Sequence, residues 1–311
     1  YKEGINYIRS NEENLKLIPG LKMHYLFYQG KYLFRLENYR DASEKFYEAY
    51  KENNEQINFD MVFYLALNHI RLNEIQPAQK FIDNLTDSGI HYSYLLYLEA
   101  EKNEIIGDYY NAVSKYDEVI NSTENSELMA NAFVAKAKIY KERPENFVDS
   151  QEAYLLILEE AENRLGENRD VRIYTLKAEE YENRASNSFD EDSKRVNLQL
   201  ALDNYKKMLL IGKDELDNYI KVAYLYIDLD DVDSAEQTMI NATERFPNAF
   251  LAYYHLTFIQ IKLETLKDEG IRDFYTVRQS FEKTKELAVK QKMTNYLKTL
   301  TEAMDEYVIE Y

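Results

Sequence analysis

The sequence predicts an all-α fold built from stacked helix pairs. Glycine and proline are scarce, at Gly 8 and Pro 4 in 311 residues. That disfavours a sheet protein with many tight turns and favours long helices. Residues 23–54, MHYLFYQGKYLFRLENYRDASEKFYEAYKENN, carry two helical patterns on either side of a polar turn at Glu37-Asn38. Their small and aromatic residues (Gly30, Ala42, Phe46) recur as Ala66, Ala78 and Ile82, then as Ala100, Ala112 and Tyr116. One such pair cannot bury its apolar faces alone, so the recurrence implies a stack.

In the first pair Leu26, Gly30 and Leu33 face a partner, and Ala42, Phe46 and Ala49 share one face at helical spacing. Gly30 and Ala42 lack bulk, so the backbones approach there and Phe46 fills the space beside them. Ahead of this pair, Ile5, Ile8, Leu15 and Ile18 read as a short helical cap that Pro19-Gly20 ends. The second pair spans 59–90, with Pro77 near the start of its second helix, where a missing N–H is tolerated, and Ser88-Gly89 at its close. The third spans 93–124, with Gly107-Asp108 as its inner turn.

The fourth pair begins near Ala130, with Ala137 and Tyr140 in its first helix and Ala153 and Ile157 in its second. An enlarged inner loop covers 143–146, and Leu165-Gly166 ends the pair. The fifth begins near Val171 behind Asp170 as N-cap, and its markers are Ala178, Tyr181, Ala201 and Tyr205. The insertion at 186–192 is expected to be a loop or an extension of both helices, and Gly212 closes the pair. The sixth spans 216–247 with Ala223, Ala235 and Met239 as markers. The seventh places Leu251 and Phe258 toward the core, then a loop at Asp268-Glu269-Gly270 and a second helix at 275–288. Residues 291–308, with Met293, Leu297, Leu300 and Met304, read as the terminal helix that a solenoid needs as cover. The expected organisation is one domain, 1–311, with 1–20 as N-terminal cap and 291–311 as C-terminal capping helix.

The recurrence resembles the tetratricopeptide repeat family. Its unit of about 34 residues carries small residues at the eighth and twentieth positions and an aromatic at the twenty-fourth. Counting from Met23 puts Gly30, Ala42 and Phe46 at those positions; Leu26 replaces the usual tryptophan, and Gln29 the usual leucine. The resemblance covers roughly residues 20–290. It implies a right-handed α-α superhelix whose first helices line a concave surface. On that surface it places His24, Phe27, Lys31, Phe34 and Arg35 from the first pair, Phe63 and Arg71 from the second, and Tyr94, Tyr97, Glu101 and Glu104 from the third. Tyr224, Ile227 and Leu256 join from later pairs. Such a mixture suits a peptide, because aromatic rings desolvate apolar side chains while basic groups fix carboxylates. Some family members clamp a C-terminal carboxylate with lysine and asparagine; here Phe27 and Lys31 stand in those places.

The last two pairs also resemble the repeat regions attached to serine/threonine kinases of Gram-positive bacteria. Arg245-Phe246-Pro247-Asn248 through Tyr254, and Arg272-Asp273-Phe274, carry this likeness. No glycine-rich loop, catalytic loop or magnesium motif of a kinase is present, so in that context the catalysis lies outside this chain.

The sequence offers little chemistry. Cysteine is absent, which removes disulfides, thiolate ligands and thiol nucleophiles. No GxGxxG or GxxxxGK[ST] occurs. His24, His69, His91 and His255 form no HExxH and no close pair; His69 and His255 fall on packed stretches, while His24 projects toward the groove. Asp228, Asp230, Asp231 and Asp233 read as a solvated inner turn, since a calcium loop needs a glycine at its sixth position and a glutamate at its twelfth. No cofactor or metal is expected. A net charge of −18 disfavours nucleic acid as a direct partner. No run of about 20 apolar residues appears, so no membrane span is expected, and no signal peptide is visible. The chain begins at Tyr1 rather than Met, the pattern expected of an excised or processed part of a longer protein.

The expectation is therefore a non-enzymatic protein- or peptide-binding scaffold in the cytoplasm, the interaction region of a larger bacterial signalling protein, with an acidic or carboxylate-bearing partner. The alternatives are a peptide-sensing regulatory domain, an enzyme with its active site in the groove, and the extracellular region of a membrane-anchored protein.

Overall fold

The computed structural model describes residues 21–53, 58–87, 92–212 and 215–307. The expected N-terminal cap at 1–20, the Ser88-Gly89 close, His91 and the last four residues of the C-terminal cap lie outside the described residues. Among the described residues all regular structure is helical. The chain forms two compact units, 1–168 and 169–311.

The first unit contains four helix pairs. Helix α1 (Leu21–Arg35) pairs with α2 (Tyr39–Glu52), α3 (Phe59–Arg71) with α4 (Ile75–Asp87), α5 (Tyr92–Ile105) with α6 (Tyr109–Ser122), and α7 (Ser126–Glu142) with α8 (Ser150–Leu165). In the second unit α9 (Val171–Ser186) pairs with α10 (Glu191–Leu210), α11 (Leu216–Asp228) with α12 (Val232–Arg245), and α13 (Phe250–Thr265) with α14 (Tyr275–Gln291). Helix α15 (Leu297–Tyr307) follows. This is the all-α, tetratricopeptide-like helical repeat that the sequence leads one to expect.

Local chemistry explains where the helices stop and start. Four inner turns close with the same bond, in which an N–H reaches back five residues: Asn38 to Leu33 O at 3.0 Å, and Glu74 to His69 O, Asp108 to Asn103 O and Asp231 to Tyr226 O, each at 2.8 Å. The residue before each donor is left-handed: Glu37 (φ 59°), Asn73 (59°), Gly107 (83°) and Asp230 (65°). This is the helix-ending arrangement that satisfies the last free carbonyls, and only one of the four slots holds the glycine that suits it best. Side chains of Asn58, Asp108, Asn125, Asp170, Asp190 and Asp231 then accept the first free N–H groups of the following helices.

Packing follows the small-residue pattern. Ala42, Ala66, Ala78, Ala100, Ala112, Ala178, Ala201, Ala223 and Ala235 are fully buried, as are Phe46, Tyr116, Tyr205 and Met239 at the aromatic position. Gly30 has no room for a side chain at all: a Cβ there would lie 2.6 Å from Cδ1 of Phe46.

Some elements differ in detail from the sequence expectation, and others decide between its alternatives. In the fourth pair Ile157 is buried as expected, but Ala153 is only half-buried, and the deepest residues of the second helix are Tyr154, Leu158 and Ala161. The inner loop there contains a 3-10 turn at Pro144–Asn146 and the left-handed Asp149, and these set where α8 begins. The insertion at 186–192 is mainly a short turn at 187–190, with Ser186 ending α9 and Glu191 and Asp192 opening α10. In the seventh pair Thr257 and Thr284 take the small positions; both are fully buried, and their Oγ1 atoms lie 3.3 Å apart. Each hydroxyl donates to the carbonyl one turn back in its own helix, which satisfies it locally. Leu251 and Phe258 pack against this core as half-buried residues. The terminal helix starts at Leu297, after a 3-10 turn at Thr294–Tyr296, and buries Leu300 and Met304 against Ile261, Phe274 and Val277. Among the described residues no helix is long and apolar enough to cross a membrane.

Candidate functional site

The first helices of the first unit bring their aromatic residues into one continuous layer. Tyr64 on α3 is its hub, with ring centroids 5.7 Å from Phe27, 5.9 Å from Phe34, 5.7 Å from Phe46 and 5.5 Å from Phe63. Phe63 continues the layer to Tyr94 at 5.1 Å and Tyr97 at 6.3 Å, and Tyr97 reaches Tyr116 at 5.7 Å. Most of these contacts are edge-on or tilted, the arrangements that the ring quadrupole favours. Lys31 lies on the layer, its Nζ 4.6 Å from the Tyr64 centroid and 5.8 Å from that of Phe27. No carboxylate pairs with Lys31 among the described residues. At the end of α1, Arg35 Nη2 lies 3.4 Å from Glu127 Oε1 on α7, with both side chains well exposed.

The residues projected onto this face have separate fates. Phe27, Phe63 and Tyr97 are buried, so they build the layer and offer little surface. His24 and Arg35 are exposed, and Lys31, Phe34 and Tyr94 are half-buried. Arg71 turns inward to a carboxylate. Tyr64 is absent from the sequence projection; its one signal is that it directly follows Phe63 on α3, on the side turned to the preceding pair.

Beneath the layer lies a charge cluster. Glu101 and Glu104 stand about one turn apart on α5 and face Arg71 at the end of α3. Arg71 Nη2 lies 2.5 Å from Glu101 Oε2, and the Glu101 side chain is wholly buried. The Tyr97 phenol sits beside Glu101. Across the inner turn, Tyr116 O–H donates to Glu104 Oε2 at 2.9 Å. Burial, then the charge of Glu101, pushes the Glu104 carboxyl up to about 7; Arg71 and the Tyr116 bond pull the other way. Burial works most strongly against the Arg71 charge, but Glu101, Tyr97, Glu104 and Tyr116 together outweigh it and hold the guanidinium above its ordinary value. Burial, then Glu101, also raises both Tyr97 and Tyr116 well above the usual phenol range.

His69 and His255 serve packing. His69 is buried, stacks on Phe81 at 5.7 Å and 11°, and bridges Glu74 (Nδ1 to Oε2, 2.6 Å) and Tyr47 (Nε2 to Oη, 2.8 Å). Glu74 takes the Nδ1 proton, so Nε2 accepts from the Tyr47 hydroxyl. Burial and the Glu74 charge raise the pKa of Tyr47, the opposite of what an activated nucleophile requires. The chain Glu74–His69–Tyr47 therefore fastens α2 to α3. In the second unit the Tyr224 hydroxyl lies 3.0 Å from His255 Nδ1, and burial lowers the pKa of that imidazole. Among the described residues no group of three His, Cys, Asp or Glu side chains is placed to hold a metal ion.

No family model matches the chain, and no curated protein matches it. Similar solved structures include RapI in its apo form, at 16% identity over 92% of this chain and 81% of that one, with a TM-score of 0.49. Human IFIT1, as a dimer with m7Gppp-AAAA, is similar at 13% identity over 99% of this chain and 70% of that one, with a TM-score of 0.45. The TPR2AB domain of yeast Sti1, in a complex with pHSP90, is similar at 12% identity over 90% and 96%, with a TM-score of 0.34.

Proposed function

We propose that the chain is a protein- or peptide-binding scaffold whose contact face lies on the first helices of the first three pairs. The observation that carries this is Lys31: a cation without a carboxylate partner among the described residues, seated on an aromatic layer on the helix that also bears the exposed His24 and Arg35. A cation in that setting favours a carboxylate-bearing ligand whose apolar parts cover Phe34 and Tyr94. The net charge of −18 supports a protein partner over nucleic acid. Arg71 is no part of this face, because Glu101 already neutralises it.

The test is a pull-down from the native host with wild-type protein and the Lys31→Glu/Arg35→Glu double variant. The expected outcome is loss of the captured partner with the helical circular dichroism unchanged. A partner retained equally by both forms places the contact surface elsewhere.

A further inference from the structure

We propose that the Arg71–Glu101–Glu104 cluster is a proton-operated joint that sets how firmly the third helix pair is packed on the second. The inference starts from a charge count. Two carboxylates share one guanidinium, and Glu101 has no solvent contact. Its Oε1 atom is buried without a hydrogen-bond partner among the described residues. With both carboxylates ionised, one negative charge is left unbalanced in a place where water screens it poorly.

Among the described residues, the charged groups that act on Glu104 include no cation besides Arg71. Helix α5 itself adds Tyr97, α6 adds Tyr116, and the end of α7 adds another negative charge, Glu142. Helix α2 turns Tyr39 toward Arg71 and Glu101, with Glu37 close to it in the preceding turn. On α4, Gln79 Oε1 accepts from Lys102 Nζ at 3.1 Å, so that lysine is directed to a neutral amide. A proton on the Glu104 carboxyl balances the cluster. Losing it to solvent sets Glu104 against Glu101 and Glu142 and strains the contact between α5 and α3.

The direction with pH follows. The folded Glu104 carboxyl holds its proton up to about pH 7, against 4.5 for the free group. Its stabilising contribution is therefore complete below pH 4.5 and lost as pH rises to about 7. Helix α5 also carries Tyr94, so the joint sits directly beneath the proposed contact face, yet it does not depend on that face having a partner.

Hydrogen exchange of the whole chain at several pH values tests this, with rates corrected for base catalysis. Going from pH 6 to pH 8, segments in α3 and α5 are expected to lose roughly tenfold or more in protection relative to α11–α14, an amount matching one pKa step. Glu104→Gln, which mimics the protonated acid, is expected to keep the pH 6 protection at pH 8. A side-chain carboxyl resonance titrating near neutrality is expected in wild type and absent from Glu104→Gln. In a second variant, Glu101→Gln, the transition moves to lower pH because the neighbouring charge is gone. Protection of α3 and α5 that does not change with pH in wild type overturns the joint. So does a transition that persists in Glu104→Gln, or one that stays in place in Glu101→Gln.

Discussion

Both units bond the tyrosine at the aromatic position of a second helix to a glutamate near the end of its paired first helix. In the first unit Tyr116 donates to Glu104 at 2.9 Å; in the second Tyr205 donates to Glu182 at 2.6 Å. The surroundings differ. Glu104 has a second carboxylate one turn back and the inward-turned Arg71 of the preceding pair. Tyr205 instead meets a cation of the following pair, the exposed Lys221, whose Nζ donates to its oxygen at 2.9 Å and lies 4.8 Å from its ring centroid. Burial, then the Glu182 bond, still raises the Tyr205 pKa. The same local device thus meets an exposed lysine in one unit and a charge cluster around a buried carboxylate in the other. What separates them is one extra, wholly buried carboxylate and the exposure of the nearby cation.

The largest expected effect separates the two cations. Arg71→Met leaves Glu101 buried without its countercharge and should cost about 3 kcal/mol, toward the lower end for a broken buried pair because the Arg71 side chain is 28% exposed. Lys221→Met, at the exposed rim, should stay within about 0.5 kcal/mol. Urea unfolding of both variants checks this, and equal losses would break the distinction between the two sites.

Packing should show no such contrast. Ala112→Leu in the first unit and Ala235→Leu in the second both force bulk between closely approaching helices, and each should cost roughly 1–3 kcal/mol. Gly30→Ala belongs to the same class, because its new methyl meets the Phe46 ring. An unchanged unfolding midpoint for either leucine variant would remove that position from the helix contact.

The smallest effect compares the hydroxyls directly. Tyr116→Phe should cost about 1–2 kcal/mol, since Glu104 loses a donor in a place that water does not readily supply, and Tyr205→Phe about 1 kcal/mol or less. A reversed order would mean that the second bond, and not the first, lies in the drier site.

Much of the fold was legible because its signals are local. Alanine and aromatic residues at helical spacing mark which face of each helix meets its partner, and Asp170 marks a helix start by its own side chain. The turn at Gly107-Asp108 is readable from glycine; that at Asn73-Glu74 closes by the same bond without one, so residue type announced it less clearly. In the fourth pair Ala153 misses the deep position because the path of a loop, here a 3-10 turn followed by a left-handed aspartate, is set by backbone geometry that composition does not encode.

For the candidate site, the sequence by itself determined which helices bear its residues and that aromatic and basic side chains share a face. Only the tertiary structure decided which of them reach solvent. Phe27, Phe63 and Tyr97 are consumed by packing around Tyr64, and Arg71, apt for a ligand's carboxylate when read from sequence, is spent on Glu101. The physical reason is that helix periodicity depends on neighbours within a few turns, whereas burial and charge depend on what stacking brings alongside. Arg71 and Glu101 belong to different pairs, and only the seating of α5 against α3 takes both from water and makes them a pair.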